Sequence, residues 1–256
     1  MSGKPPGPVG LNYTPLIEPG NMCRVEAPQR TGRFDAAAQA THDELTPIAR
    51  YMAQEINVNT SGPDVRRLRE LNSFSPEQCI QDYTRQPLWR QLLGLGISPQ
   101  QCIDMQMSYR TAALLMWGQK VMQNGDWDHK PIIARRFNTR SPGGIQVWHV
   151  YGNTEYFYDV WSNLHYGYVG AAAGFSDSVL LDGAGLEQIG SDLVRLQRPA
   201  RRGSTSGLRS WDDPADRAAI TMGIQLYRRQ PQAVRAQDLL NIILPSSLIT
   251  RRPFTP

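Results

Sequence analysis

The segment from Tyr156 to Gly170 places several groups capable of acid–base or hydrogen-bonding chemistry close together. It holds a carboxylate (Asp159), an amide (Asn163), an imidazole (His165) and a phenol (Tyr166). A solvated loop rarely carries so many aromatic residues, and a plain core segment rarely buries Asp, Asn and His together. The pattern therefore indicates a functional site. The alternative is a hydrogen-bonded aromatic corner that only supports the fold.

Cleavage of RNA is one reaction that these residue types could catalyse. A base must take a proton from the 2′-hydroxyl, an acid must protonate the leaving 5′-oxygen, and positive charge must stabilise the phosphorane. We predict that His165 is the base or acid and that Asp159 orients its imidazole. Tyr166 is expected to stack on a nucleobase, and Asn163 belongs to the same candidate catalytic set.

A second polar cluster lies in the segment Gly125–Pro131, which contains Asp128 and Lys130. Lysine is rare in this chain, which has three lysines among its 27 basic residues. We predict that Asp128 and Lys130 join the catalytic set and that Lys130 holds a phosphate near His165. The alternative is the end of a helix with solvated charges.

A third cluster is Trp211–Asp216. Asp213 precedes a proline and is a good helix N-cap, and Asp216 would complement the helix dipole in the first turn. A purely structural role in helix capping is one interpretation of this cluster. Substrate binding by Asp213 or Asp216 is the functional one.

The charge of the chain favours an anionic partner such as nucleic acid, a lipid phosphate or an acidic inhibitor protein. The net charge is +4 with a pI near 9.1. The segment from Arg195 to Arg209 holds five arginines and no carboxylate. We predict a substrate-binding loop there, with Arg198, Arg201 and Arg202 as its contacts. A GC-rich genome would produce the same excess of arginine.

The hydrophobic periodicity predicts a mainly α-helical fold with a small β-hairpin near the site. Residues 1–34 are rich in Pro and Gly and are predicted to form a linker or arm, and residues 35–256 a single catalytic domain. Further helices are predicted over 36–56, 99–122 and 232–244. The segment 126–140, which contains Pro131, is expected to be irregular.

Several classes of protein lack support in the sequence. There is no apolar run long enough for a transmembrane helix and no pattern of a signal peptide. Walker A, GxGxxG and GxSxG motifs are absent, so no cofactor is expected. A Mg²⁺ site built from Asp128, Asp159 and an Asp of 212–216 stays open. The odd number of cysteines argues against a disulfide framework or a zinc site, although one bridge between Cys79 and Cys102 stays open.

The order of four motifs resembles the bacterial polymorphic toxin type 44 family over roughly residues 35–227. The motifs are Trp127-Asp-His-Lys-Pro131, Asn163-Leu-His-Tyr-Gly167 with its continuation to Phe175, Leu180-Leu-Asp-Gly-Ala184, and Asp212-Asp-Pro-Ala-Asp216. The resemblance implies a mostly helical antibacterial effector, secreted by a specialised system through a delivery module and neutralised by a cognate immunity protein. It also implies ribonuclease activity.

A shorter likeness supports a second function. Tyr158-Asp159 followed by His165 partly resembles the signature of colicin M, which cleaves the lipid-linked peptidoglycan precursor. Tyr156 and Tyr166 stand where that signature has a carboxylate and an arginine. A cell-envelope hydrolase acting on this precursor or on peptidoglycan is therefore the alternative to a metal-independent ribonuclease. In that case Asp128, Asp159 and Asp213 would carry the reaction, with or without Mg²⁺.

The target compartment separates the two functions. The basic C-terminal third and cysteines expected to be unpaired favour a cytosolic, RNA-like target. A third interpretation is a non-catalytic module whose aromatic surface binds a partner. Killing by cytosolic expression without a secretion signal would support the ribonuclease.

Overall fold

The computed structural model describes residues 42–182 and 213–255. These residues form ten helices and one small antiparallel sheet, so the predicted mainly α fold with a hairpin is confirmed. The predicted arm, its boundary at residue 35 and the arginine loop 195–209 lie outside the described residues. The domain boundary therefore stays a prediction.

The described helices have the following bounds: α1 Leu45–Ser61, α2 Pro63–Asn72, α3 Pro76–Thr84, α4 Leu88–Leu92, α5 Pro99–Val121, α6 Lys130–Arg136, α7 Asp159–Ala172, α8 Asp177–Asp182, α9 Pro214–Arg229 and α10 Ala236–Ile243. The strands are β1 Trp148–Tyr151, β2 Thr154–Phe157 and β3 Arg251–Pro253. No helix among the described residues is both long and apolar enough to cross a membrane.

Local sequence signals explain most helix starts. Ser75 accepts a hydrogen bond from Gln78 N, and Ser98 forms a reciprocal capping box with Gln101. Each serine is followed by a proline in the first turn, where a missing N–H costs nothing. Asp213 caps α9 in the same way by accepting from Ala215 N at 2.8 Å, so its predicted capping role is confirmed.

The prediction that residues 126–140 are irregular is wrong for the middle of this segment. Residues Lys130–Arg136 form α6, and Pro131 occupies its first turn. Proline is tolerated at this position because the first helical N–H groups have no intrahelical acceptor. Pro131, which was expected to interrupt regular structure, therefore marks the start of a helix.

The three strands form a sheet beside α7. β1 and β2 pair as a hairpin around Gly152, which has a φ of 59° and suits a tight turn. β3, which was not predicted, adds to the outer edge of β2. The buried Glu155 accepts hydrogen bonds from Arg140 and Arg252 and so fastens the hairpin to its neighbours.

Helix α7 lies between two hydrophobic clusters and contributes to both. Val160, Trp161 and Leu164 belong to the cluster formed with α1 and α10, whereas Val169 and Ala172 belong to the cluster formed with α2, α5 and α8. A helix that is apolar on all sides is a central helix. The site motif in its sequence is therefore carried by the most buried element of the fold.

Two glycines allow α7 and α9 to touch backbone to backbone. A Cβ added to Gly167 would overlap the carbonyl oxygen of Ile220, and one added to Gly223 would overlap the carbonyl oxygen of Leu164. The two helices consequently cross at a distance that no larger residue permits at these positions. This crossing sets the position of every side chain near it.

Cys79 and Cys102 form a disulfide with a Cα–Cα distance of 5.8 Å. The expectation that these cysteines are unpaired is therefore wrong. Their capped helices, α3 and α5, pack against each other and bring the two first turns together. Cys23 lies outside the described residues.

Gly167→Ala should destabilise the fold because the added methyl group would force α7 and α9 apart. We expect a loss of about 2 kcal/mol or more, since overpacking typically costs 1–3 kcal/mol. Gly144→Ala is the control, because its Cβ would meet no atom closer than 3.4 Å. Urea denaturation of both variants measures the difference, and equal stabilities would contradict the tight crossing.

Candidate functional site

A cavity of about 500 Å³ opens where α5, α6, α7 and α9 meet the start of β1. Its walls combine charged, amide and aromatic side chains: Gln123, Trp127, Asp128, Lys130, Arg135, Tyr158, Ser162, Asn163, Tyr166 and Asp216, with Val121, Pro131, Ala134, Ile145, Val147 and Ile220 as apolar neighbours. Convergence of polar groups in one concave site is typical of a binding or catalytic pocket.

A pair of carboxyl groups lies at the junction of α7 and α9. Asp216 is 6% exposed, and its Oδ1 accepts a hydrogen bond from Asn163 Nδ2 at 2.6 Å. Asp159 also lies within hydrogen-bonding reach of Asp216. Asp159 and Asn163 are four residues apart on α7, so they share one face of the helix.

The environment raises the pKa of both carboxyls. Burial is the largest cause for Asp159, the neighbouring Asp216 carboxylate adds to it, and together they raise its pKa to about 7 despite the opposing charge of Lys130. Burial also raises the pKa of Asp216. Two carboxyls in contact cannot both ionise easily, so the pair shares one proton.

The hydrogen bonds assign this proton to Asp159. Asp216 already accepts from the Asn163 amide, which stabilises its ionised form. Protonated Asp159 can then donate to Asp216. Near neutral pH the pair therefore contains one proton donor and one proton acceptor side by side, which is the requirement for general acid–base catalysis.

Two cations face the same cavity. Lys130 stands in the first turn of α6 and Arg135 in its last turn. Neither forms a salt bridge with a carboxylate of the described residues. They place two positive charges on the cavity wall.

Aromatic side chains form another part of the cavity wall. Trp127 and Tyr166 are almost fully buried, and each ring packs edge-on against Trp117. Burial raises the pKa of Tyr158, and the charges of Asp159 and Asp128 raise it further. These rings are neutral donors and stacking surfaces rather than proton acceptors.

Asp128 has a structural contact in addition to its place on the cavity wall. Its two carboxylate oxygens accept hydrogen bonds from the backbone N–H groups of Asn124 and Lys130. The carboxylate thus links the end of α5 to the start of α6. It fixes the direction in which Lys130 enters the cavity.

His165 lies outside the cavity wall. Its ring is 1% exposed, packs 4.3 Å from the ring of His129 and bonds through Nε2 to the Asn59 amide at 2.9 Å. His129 in turn bonds to the hydroxyl of Tyr51. Burial lowers the pKa of His165 well below its usual range and that of His129 to about 4.

The predicted pairing of Asp159 with His165 is wrong, because Asp159 pairs with Asp216 instead. Residues six positions apart on an α-helix point in different directions. The segments around Lys130 and His165 do meet, since His129 packs on His165 and Lys130 acts on Asp159. The predicted contact of Lys130 and His165 with one phosphate stays a prediction. Arg198, Arg201 and Arg202 lie outside the described residues.

Sequence reasoning missed Ser162 and Arg135 as parts of the cavity and did not include Tyr158 in the catalytic set. A signal for two of them was present. Tyr158, Ser162 and Tyr166 recur every four residues and therefore form one stripe of α7. Arg135 gave no signal, because its segment was not expected to be helical.

The sequence predicts no metal ion and leaves a Mg²⁺ site open, and both stay predictions. Among the described residues, no group of three or more His, Cys, Asp or Glu side chains is arranged to hold a metal ion.

Replacing Asp159 with Asn should change how stability depends on pH. The folded-state pKa of about 7 is above the usual 3.8, so the folded protein retains a proton that the unfolded chain releases. The stability from this group is present at low pH and is lost as pH rises through 7. The melting temperature of the variant relative to the unaltered chain should therefore rise between pH 5 and 8. A constant difference would contradict the shared proton, and the exposed Asp104→Asn is the control.

His165→Ala should lower the melting temperature, because it removes a fully buried ring and leaves the Asn59 amide without its partner. We expect a loss of about 2–4 kcal/mol, the range for a large-to-small change in a core with an unpaired polar group. Thermal unfolding followed by circular dichroism measures it. An unchanged melting temperature with abolished toxicity would instead restore His165 as the catalytic base.

The comparisons with known proteins agree with the motif order. The family model described as "Bacterial toxin 44" matches residues 116–229, which run from the end of α5 to the end of α9 and include the carboxyl pair. No curated protein and no solved structure matches the chain. The matched family indicates a bacterial toxin, and the match confirms the resemblance to the bacterial toxin 44 family over residues 116–229.

Proposed function

We propose that the chain is an antibacterial toxin that cleaves RNA without a metal ion. The observation that supports this best is the proton-sharing pair Asp159–Asp216, whose member Asp216 lines the cavity that also contains Lys130 and Arg135. Such a pair can accept one proton and donate another in a single reaction. The cations provide a place for the phosphate between them.

The reaction balances with these residues alone. The Asp216 carboxylate takes the proton from the 2′-hydroxyl, and the 2′-oxygen forms a bond to phosphorus. The bond from phosphorus to the 5′-oxygen breaks, and Asp159 gives its proton to that oxygen. The products are a 2′,3′-cyclic phosphate and a free 5′-hydroxyl. Transfer of a proton from Asp216 to Asp159 restores the starting state.

The other cavity residues support this step. Lys130 and Arg135 neutralise the charge that develops on the phosphorane. Asn163 holds Asp216 in its ionised form through the hydrogen bond to Oδ1. Tyr158, which is partly exposed, offers a ring surface to a nucleobase, as aromatic side chains do in single-stranded RNA recognition.

The separation of the carboxyls disfavours cleavage of a glycosidic bond. Glycosidases keep their two carboxyl groups about 5 Å or more apart, so that the sugar fits between them. Asp159 and Asp216 lie within hydrogen-bonding reach of each other.

The disulfide supports a second candidate, cleavage of the lipid-linked peptidoglycan precursor in the cell envelope. Disulfides form and persist in oxidising compartments such as the periplasm, and Cys79–Cys102 is formed in this chain. The same cations and acid–base pair would serve a phosphoester with water as the nucleophile. The cognate immunity protein and the delivery module of a secretion system belong to both candidates.

Asp159→Asn, Asp216→Asn and Lys130→Met should each reduce RNA cleavage by about a hundredfold or more, the usual range for a lost acid or base. Purified protein is incubated with RNA in EDTA, and cyclic-phosphate ends are measured. Asp104→Asn, which is exposed on α5, is the control. Circular dichroism confirms that each variant is folded.

The place of killing decides between the two candidates. Expression in the cytosol without a secretion signal should kill and degrade RNA. Harmless cytosolic expression, with lysis once a secretion signal is attached, would overturn the ribonuclease and assign the chain to the envelope. Full activity of Asp159→Asn in both compartments would remove the carboxyl pair from the reaction.

A further inference from the structure

The loop closed by the Cys79–Cys102 disulfide exposes a large apolar surface. Helix α4 has no buried residue, and Leu88 and Leu92 are 75% and 86% exposed. The turn that follows α4 continues this surface. The exposed apolar side chains of residues 88–97, here named the apolar tip, are Leu88, Trp89, Leu92, Leu93, Leu95 and Ile97. Contiguous surfaces of this kind mark interaction sites.

The backbone holds the apolar tip as a compact projection. Gly94 and Gly96 have φ values of 65° and 119°, which turn the chain sharply after α4. The disulfide joins the two ends of the loop to α3 and α5. The tip therefore presents its side chains from a fixed base, which lowers the entropy lost on binding.

The charges around the tip indicate what it binds. Between Tyr83 and Ile103 the chain has two arginines and no carboxylate; Arg90 lies within the tip, and Arg85, before it, pairs with Asp82 at 3.7 Å. The Arg90 guanidinium lies 5.9 Å from the centre of the Trp89 ring. Arginine attracts anionic headgroups, tryptophan favours the interface, and leucine enters the hydrocarbon boundary.

From this arrangement we infer that the apolar tip docks the toxin onto the surface of an anionic lipid bilayer. Leu88, Leu92 and Leu93 enter the headgroup–acyl boundary, while Arg85 and Arg90 contact lipid phosphates. None of the tip residues lines the cavity. The inference is therefore independent of the bond that the toxin cleaves.

Co-sedimentation of the full chain with vesicles tests this docking. Vesicles of phosphatidylglycerol and phosphatidylethanolamine should bind the protein, and vesicles of phosphatidylcholine should bind it less. The double variant Leu92→Glu/Leu93→Glu should bind at least about tenfold more weakly, since carboxylates are costly to place in the hydrocarbon region. Leu248→Glu is the matched control, because Leu248 is 68% exposed elsewhere on the surface. Circular dichroism verifies both folds.

Several results would overturn the inference. These are absence of vesicle binding by the unaltered chain, equal binding by the double variant, and loss of binding in the Leu248 control. Self-association in sedimentation velocity that the double variant abolishes, without vesicle binding, would assign the tip to a second copy. RNA cleavage in solution should be the same in the double variant, so failure of docking and failure of the proposed reaction are distinguishable.

Discussion

The close crossing of α7 and α9 is the constraint on which the site depends. Gly167 and Gly223 let the two backbones touch, and Asn163, one turn before Gly167, meets Asp216, two turns before Gly223. Side chains at the crossing would separate the helices and break this hydrogen bond. The fold thus uses backbone contact to bring groups from two distant parts of the chain into one half-buried position. The crossing of α7 and α9 therefore determines both the packing of the two helices and the position of the carboxyl pair.

This arrangement has an electrostatic cost, and the structure shows how it is reduced. Two carboxylates removed from water repel each other and lose solvation. Sharing a proton removes one charge, the Asn163 amide stabilises the other, and Lys130 acts on both through space. The result is a titratable group near pH 7 made from residues that ordinarily titrate near pH 4. The raised pKa comes from the burial of the two carboxyls and their contact with each other, and not from an unusual residue type.

The sequence predicted the local features of the fold and the neighbourhood of the site, but not its pairing. Capping at Ser98 and Asp213 is decided by a few adjacent residues, so it could be predicted. The partner of Asp159 could not, because the contact with Asp216 depends on how two helices cross. His165 carried the strongest chemical signal in its motif, yet it packs in the core against His129. The histidine in the motif therefore indicated helix α7, which carries part of the site, but His165 does not lie on the face of α7 that lines the cavity.

The walls of the cavity come from two kinds of element. The proton-sharing pair belongs to α7 and α9, whose crossing tolerates almost no change, whereas Lys130, Arg135 and the approach to β1 belong to shorter, more exposed segments. Substitutions at exposed positions of this second group, such as Ile145, alter the rim without moving the pair. Variation at such positions can therefore change which molecules fit the cavity while the helix crossing stays the same.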